Sequence, residues 1–346
     1  MFLSERTDTR NNNFDILRFL AAVHILIHHG VQCFGNKNPH WFSFLGSIES
    51  LFIIGGFLIT KSWYDSPNFF VFFKKRILRI FPALIVVVLF TALILGPLVT
   101  TLPLKEYFTN SMFFDYLKNI FLVHIYHLLP GVFQSNPFNT SVNGSLWTLP
   151  LEFLLYCLVA FFGISKILNK KYFHFVFVVV AIIVFYIITY LNIAKYWSYV
   201  QSVNLLIFFF ISSSFYIYRK KIILSFPLFI ICLAVFVVGI NLSYKFYLHF
   251  FYIRFLVLPY IIIYIAYCKI PYINNFGKYG DFSYGIYLWA FPVSQTLVYF
   301  LLDKFNIFTY IVSVFLVTLF IAVLSFKFIE KPALKLKNKK IYKSLF

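Results

Sequence analysis

Residues 14–34, FDILRFLAAVHILIHHGVQCF, form an apolar run about as long as a bilayer is thick, and yet they contain Arg18 and His29. A titratable side chain inside lipid is costly, so each of these residues needs a reason. At ~100° and ~1.5 Å per residue, the eleven positions between them bring His29 back to within about 20° of the Arg18 face and set it roughly 16 Å deeper, about half the hydrocarbon thickness. A guanidinium near one surface and an imidazole near the midplane therefore share one stripe. His24 and His28 point elsewhere, about 240° and 280° from Arg18, and read as polar contacts between helices. Asp15, one turn before Arg18, offers it a counter-ion, so Arg18 serves either the fold or a ligand.

Runs of the same kind recur along the chain. Ten candidate spans fall at 14–34, 42–63, 77–99, 146–164, 173–191, 200–218, 222–240, 252–268, 283–302 and 307–328. With 61% hydrophobic and only 12% charged residues among 346, the chain is too apolar for a soluble protein, and the expectation is an all-α, polytopic integral membrane protein. Orientation follows from the basic residues. With the N-terminus inside, the inner segments collect Arg6, Arg10, Lys61, Lys74, Lys75, Arg76, Arg79, Lys166, Lys170, Lys171, Arg219, Lys220, Lys221, Lys269, Lys278 and the C-terminal lysines. The outer segments hold single charges such as Lys37, Lys195, Lys245 and Lys304. That asymmetry predicts both termini in the cytoplasm and accounts for much of the formal net charge of +19 without a nucleic-acid partner.

One long connection, 100–145, falls on the outer side, and its segment 111–130 (SMFFDYLKNIFLVHIYHLLP) predicts a re-entrant or interfacial helix. Counting it as a full span would reverse all that follows and move Lys166, Lys170 and Lys171 outside, against the charge bias. No cleavable signal peptide is expected, because the first apolar run follows a polar start, Ser4 to Asn13, and serves as an anchor. No repeat, heptad pattern or soluble domain interrupts the chain, so residues 1–346 are expected to form a single membrane domain. Cys33, Cys157, Cys232 and Cys268 lie scattered in apolar stretches and read as small hydrophobes.

Further candidates carry charge at membrane depth. Glu49, in Gly46-Ser47-Ile48-Glu49-Ser50, is a carboxylate that needs a partner, and an imidazole of the neighbouring first span is the natural candidate. A carboxylate beside His29 would orient the ring and stabilise its protonated form, the usual support for a general base. Gly55-Gly56 allows close approach of another backbone or a ligand. Lys74-Lys75-Arg76-Ile77-Leu78-Arg79-Ile80-Phe81-Pro82 reads either as an anchor on anionic lipid or as a site for a phosphorylated cytosolic ligand. Asn143-Gly144-Ser145-Leu146-Trp147 opens the next span, with Glu152 again in apolar sequence and Trp147 fit for an interfacial belt. His124 and His127 supply half of a metal site at most, with no further ligands at helical spacing, and no metal is expected.

Taken in order, these segments resemble the membrane acyltransferase-3 family, over nearly the whole chain from Asp15 to Pro332. Arg18 and His29 fit its Arg-x10-His pattern. Glu49 through Leu58 fits an acidic residue followed by an apolar run and Gly-Phe-Leu, and Arg76, Arg79 and Pro82 fit its basic-proline motif. Asn143 to Glu152, Ser283 to Pro292 and Phe328 to Pro332 complete the set. The chain departs from the commoner pattern at Glu49, where aspartate is frequent, at Gly55, where serine is frequent, and at Ala290, where many members have histidine. The Ala290-Phe291-Pro292 form is similar to a subgroup associated with exopolysaccharide and O-antigen acetylation.

The resemblance implies an acetyl-CoA-dependent O-acetyltransferase of the bacterial inner membrane, acting on a cell-surface or lipid-linked sugar. It implies Arg18, Arg76 and Arg79 at the acetyl-CoA, His29 and Glu49 in catalysis, and Asn143, Trp147 and Glu152 at the acceptor. No fused SGNH-type domain is expected, so the chain would deliver the acyl group itself or hand it to a partner. A transporter or flippase of a lipid-linked sugar is the rival reading, since intramembrane Arg, His and Glu also line such pathways, and a glycan polymerase would want a larger outer domain.

Overall fold

The computed structural model describes residues 1–7, 12–39, 42, 45–170, 172–191, 197–242, 247–270 and 273–338. Arg10, Lys171, Lys195, Lys245 and the lysines beyond 338, all used above in orienting the chain, lie outside the described residues. The described chain is helical, with two isolated bridges and no strand. Its long helices are α1 (Phe14–Cys33), α2 (Ser47–Asp65), α3 (Phe69–Phe90), α4 (Leu149–Ile164), α5 (Phe173–Tyr190), α6 (Trp197–Ile217), α7 (Phe226–Leu242), α8 (Tyr247–Tyr267), α9 (Ser283–Leu301) and α10 (Ile307–Ser325). Among the described residues, seven helical stretches are long and apolar enough to cross a membrane; Phe226–Asn241 and Tyr252–Tyr267 are apolar but shorter. Helix α2 carries Glu49, Lys61 and Asp65 along its length.

By internal packing the chain forms two compact units. The first comprises residues 1–28, 38–67 and 151–281. Here α2 and α6 run in the same direction at very close range. A Cβ on Gly56 would collide with the carbonyl of Phe209, and one turn on, Thr60 Oγ1 donates to Ser213 Oγ at 2.7 Å. Only glycine lets the two backbones meet in this way. Phe57 fills the centre, its ring against those of Phe14, Tyr216 and Tyr267.

The second unit comprises residues 29–37, 68–150 and 282–346. Asn68 caps α3 by accepting the Val71 N–H at 3.1 Å. Pro82 removes one donor from that helix, and nearby the Tyr284 hydroxyl of α9 donates to the Ile80 carbonyl at 2.8 Å. Beyond Phe90 the helix widens into a π turn over Thr91–Leu95 and ends at Val99. Segment 111–130 does not make one helix. It is helical over Ser111–Leu117, turns as a 3-10 helix over Lys118–Phe121 and continues irregularly. The reason is local: the Asn119 side chain bonds both backbone groups of Tyr126, at 2.9 and 2.8 Å, and Leu122 adopts a left-handed conformation with φ 56°.

Candidate active site

In the first unit, the start of α1 is tied to the end of α8. Asn13 donates its side chain to the carbonyls of Ile265 and Cys268, at 2.7 and 2.8 Å, and its backbone N–H to that of Ala266. One turn along, the Arg18 guanidinium bonds Asp15 and lies 3.5 Å from a carboxylate oxygen of Asp281. Gly277 leaves room for Asp15, whose carboxylate occupies the space a Cβ would take. The expected pairing of Asp15 with Arg18 is therefore present, and Asp281 adds a second anion. Both carboxylates are met by Nη2 of the one guanidinium.

Glu49 is buried and accepts a 2.8 Å bond from Arg254 Nη2. Its bonded partner is a guanidinium of α8, and the imidazole of α1 whose charge it acts on is that of His24. Gly46, left-handed at φ 73°, stands so close that a Cβ would lie 3.1 Å from Arg254 Nη2 and 2.7 Å from Leu258. Buried charges this near one another suit a permanent pair. His24 stacks face to face on Phe42, with ring centres 3.9 Å apart, and the His28 carbonyl accepts from Asn38 at 2.8 Å. Glu152, in the first turn of α4, accepts the Tyr156 hydroxyl from one turn further along.

His29 belongs to the second unit. Its Nδ1 lies 3.2 Å from Gln32 Oε1, and its ring meets Phe291 of α9 edge-on at 5.2 Å between centres. Gln32, three residues on along the same helix, reaches the imidazole directly and can orient it. Gly30 beside it lets Ile311 approach, which a Cβ would meet at 2.7 Å. Phe291 also presses on Gly144, where a Cβ would lie 2.5 Å away. Asn143 caps the 3-10 turn Gly144–Thr148, accepting from Ser145 N at 3.2 Å and donating to the Leu288 carbonyl at 3.0 Å. Tyr287 donates to the Ser145 carbonyl at 2.6 Å and meets Thr148. Asn143 is thereby a buried clamp that fixes on α9 the turn carrying the half-buried Trp147. Gln295 holds the preceding residues through the carbonyls of Phe138 and Ser141, at 2.6 and 2.7 Å.

Also in the second unit, Arg79 lies 3.5 Å from Glu330, which accepts Ser325 Oγ at 3.1 Å, and its guanidinium sits 5.4 Å from the centre of the Tyr284 ring. Arg76 rests against Phe72, at 5.5 Å from that ring centre. Arg79 is thus held by a buried carboxylate. In the long connection, His127 Nδ1 faces Ser141 Oγ at 3.3 Å, and burial with the neighbouring His124 holds its pKa below the usual histidine value. Among the described residues, no group of three or more His, Cys, Asp or Glu side chains is gathered to hold a metal ion.

Three residues carry this geometry without having been singled out in the sequence: Arg254, Asp281 and Gln32. Arg254 had a signal, being a cation inside the predicted span 252–268 and so open to the same argument that found Arg18. Asp281 and Gln32 had none beyond adjacency to a motif.

A family model described as an acyltransferase domain matches residues 11–327. An O-acetyl transferase of Shigella phage Sf6 is 28% identical over 301 residues, covering 84% of this chain and 86% of that protein. Nodulation protein 10 of Rhizobium leguminosarum bv. viciae is 32% identical over 167 residues, 44% of each chain. O-acetyltransferase OatA of Staphylococcus aureus (strain NCTC 8325 / PS 47) is 28% identical across 93% of this chain, which spans 57% of that protein. No solved structure matches. The chain belongs to the acyltransferase-3 family and is a multi-pass membrane acyltransferase.

Proposed function

We propose that this acyltransferase moves an acetyl group from cytosolic acetyl-CoA to a hydroxyl of a cell-surface or lipid-linked sugar at the bacterial inner membrane. The phage and staphylococcal relatives, named as O-acetyl transferases, support the acetyl group and the oxygen acceptor. The observation that carries the reading is the imidazole of His29, eleven residues along one helix from Arg18 and steadied by Gln32 and Phe291.

With Nδ1–H donated to Gln32 Oε1, the neutral ring keeps its lone pair on Nε2. That nitrogen accepts the proton of the sugar hydroxyl as its oxygen attacks the thioester carbonyl. The tetrahedral intermediate then expels the thiolate, which takes the proton back from the ring. The products are the acetyl ester and free CoA thiol. Arg76 and Arg79 suit the phosphates of the donor, and the Arg18 guanidinium is likewise suited to a phosphate oxygen. Trp147 and Glu152 shape the acceptor side, with Asn143 fixing the turn that carries Trp147. Glu49 acts at one remove, by holding Arg254 and the α2–α8 contact in place.

The test is purified protein in lipid with radiolabelled acetyl-CoA and a panel of lipid-linked sugars, comparing wild type with His29→Ala. Acceptor labelling and CoA release are expected from the wild type and should fall by about 10²–10⁴-fold in the variant. Absence of both across the panel, with measurable sugar flux in their place, overturns the enzymatic reading in favour of a transporter.

A further inference from the structure

Two short helices, Leu104–Thr109 and Ser111–Leu117, follow α3 in the second unit, and their packing is one-sided. The inward side is fixed by a specific lock. The π turn at Thr91–Leu95 is followed by Gly96, whose missing Cβ makes room for the Tyr107 hydroxyl, and that hydroxyl donates to the Ala92 carbonyl at 2.7 Å. Tyr107, Phe113 and Tyr116 are buried behind it, with the Phe113 ring 5.5 Å from that of Tyr107.

The outward side is apolar and uncovered within the chain. Leu104 and Phe108, spaced i and i+4, stand exposed together with Phe114, Phe121 at 72% and Val123 at 85%. Three exposed phenyl rings with a leucine and a valine amount to several hundred Å², the size at which an exposed patch marks an interaction surface. Leu93, Ile94 and Leu98 are exposed on the last turns of Phe69–Val99, a stretch long and apolar enough to cross a membrane, and residues 111–121 pack against that same stretch, so its outer surface and the patch belong to one packed element group. Around it lie Lys105, Glu106 and the Asp115–Lys118 pair at 2.6 Å, charges fit for the headgroup level.

We propose that the face formed by Leu104, Phe108, Phe114, Phe121 and Val123 is seated in the lipid interface at the Val99 end of α3. An apolar face rimmed by charge beds at the headgroup and acyl boundary. The Tyr107 lock fixes which face does so. This placement is independent of the reaction, because it concerns where the segment lies.

The test uses Phe121→Cys and Val123→Cys, each labelled with the environment-sensitive dye NBD and reconstituted in nanodiscs. Thr140→Cys, at an exposed polar position of the same connection, serves as the reference, and identically treated wild type gives the background from the four native cysteines. Probes at 121 and 123 should be quenched by lipid carrying a doxyl group high on the acyl chain, and should respond to aqueous iodide at least about threefold less than the probe at 140, as an interfacial position requires. Equal iodide quenching at all three sites overturns the proposal. So does a blue-shifted probe insensitive to doxyl lipid, which would mean that a second copy or another protein covers the face.

Discussion

Replacing Arg254 by methionine asks whether the pair it forms with Glu49 is what allows a carboxylate to stand inside α2. The guanidinium is 2% exposed and the carboxylate 8%, with 2.8 Å between Nη2 and Oε1. At an effective dielectric constant of about 20, two charges at that distance attract by about 6 kcal/mol, comparable to the several kcal/mol each ion loses on leaving water. The intact pair is therefore near break-even, whereas removing one partner strands the other at a cost of about 3–5 kcal/mol. With an unfolding entropy of about 2.1 cal/mol/K per residue, that cost lowers the Tm of a chain of 346 residues by about 4–7 °C.

The assay is thermal unfolding of the detergent-solubilised protein, with Lys61→Ala as the comparison in the same unit. That change removes the more exposed Lys61–Asp65 pair, 3.4 Å long, and should cost less than about 1 kcal/mol. The double variant Arg254→Met/Glu49→Gln removes both charges, so most of the lost stability should return. Acetyl transfer by that variant should stay within about tenfold of wild type, since Glu49 touches none of the reacting atoms in this mechanism. If Arg254→Met melts no lower than Lys61→Ala, or the double variant melts no higher than the single one, the reasoning about the pair is wrong.

Four further outcomes are expected. Arg79→Ala should lower Tm by several degrees, because it takes a cation away from Glu330 at 2% exposure, and Arg76→Ala/Arg79→Ala should abolish thermal stabilisation by CoA. Gly56→Ala should cost about 1–3 kcal/mol or more, read as a lower melting temperature, since the new methyl can be housed only by moving α2 away from the Phe209 carbonyl. Gln32→Leu should reduce kcat by at least about tenfold with little change in the KM for acetyl-CoA, because the imidazole loses its tautomer-setting partner. For His127 the folded pKa lies below that of the unfolded chain, so below about pH 6.5 the unfolded state binds the extra proton. Its contribution is then complete above that pH and lost as the pH falls, and His127→Gln should flatten the decline in Tm below about pH 6.5.

Sequence reading succeeded where one residue in its own neighbourhood decides the matter. Helices follow apolar runs, and Arg18, His29 and Glu49 stand out because lipid penalises each of them wherever its partner lies. Boundaries were less legible, for local reasons. The second helix begins at Ser47 rather than 42 because Gly46 turns left-handed, and the third begins at Phe69 because its basic residues continue the helix beyond the apolar run. Asn119 ends helix formation in the long connection by bonding to Tyr126, a competition that hydropathy does not register.

Pairings were the least accessible part, because helix packing decides them. Arg254 lies 205 positions from Glu49, and Asp281 reaches Arg18 from the far end of the same unit. A motif names one half of each interaction. The basic-proline motif likewise gives no sign that Glu330 returns to α3 and meets Arg79. Glu49 shows the same: its motif marks a carboxylate at membrane depth, and only the arrival of α8 supplies the guanidinium that pairs it at 2.8 Å.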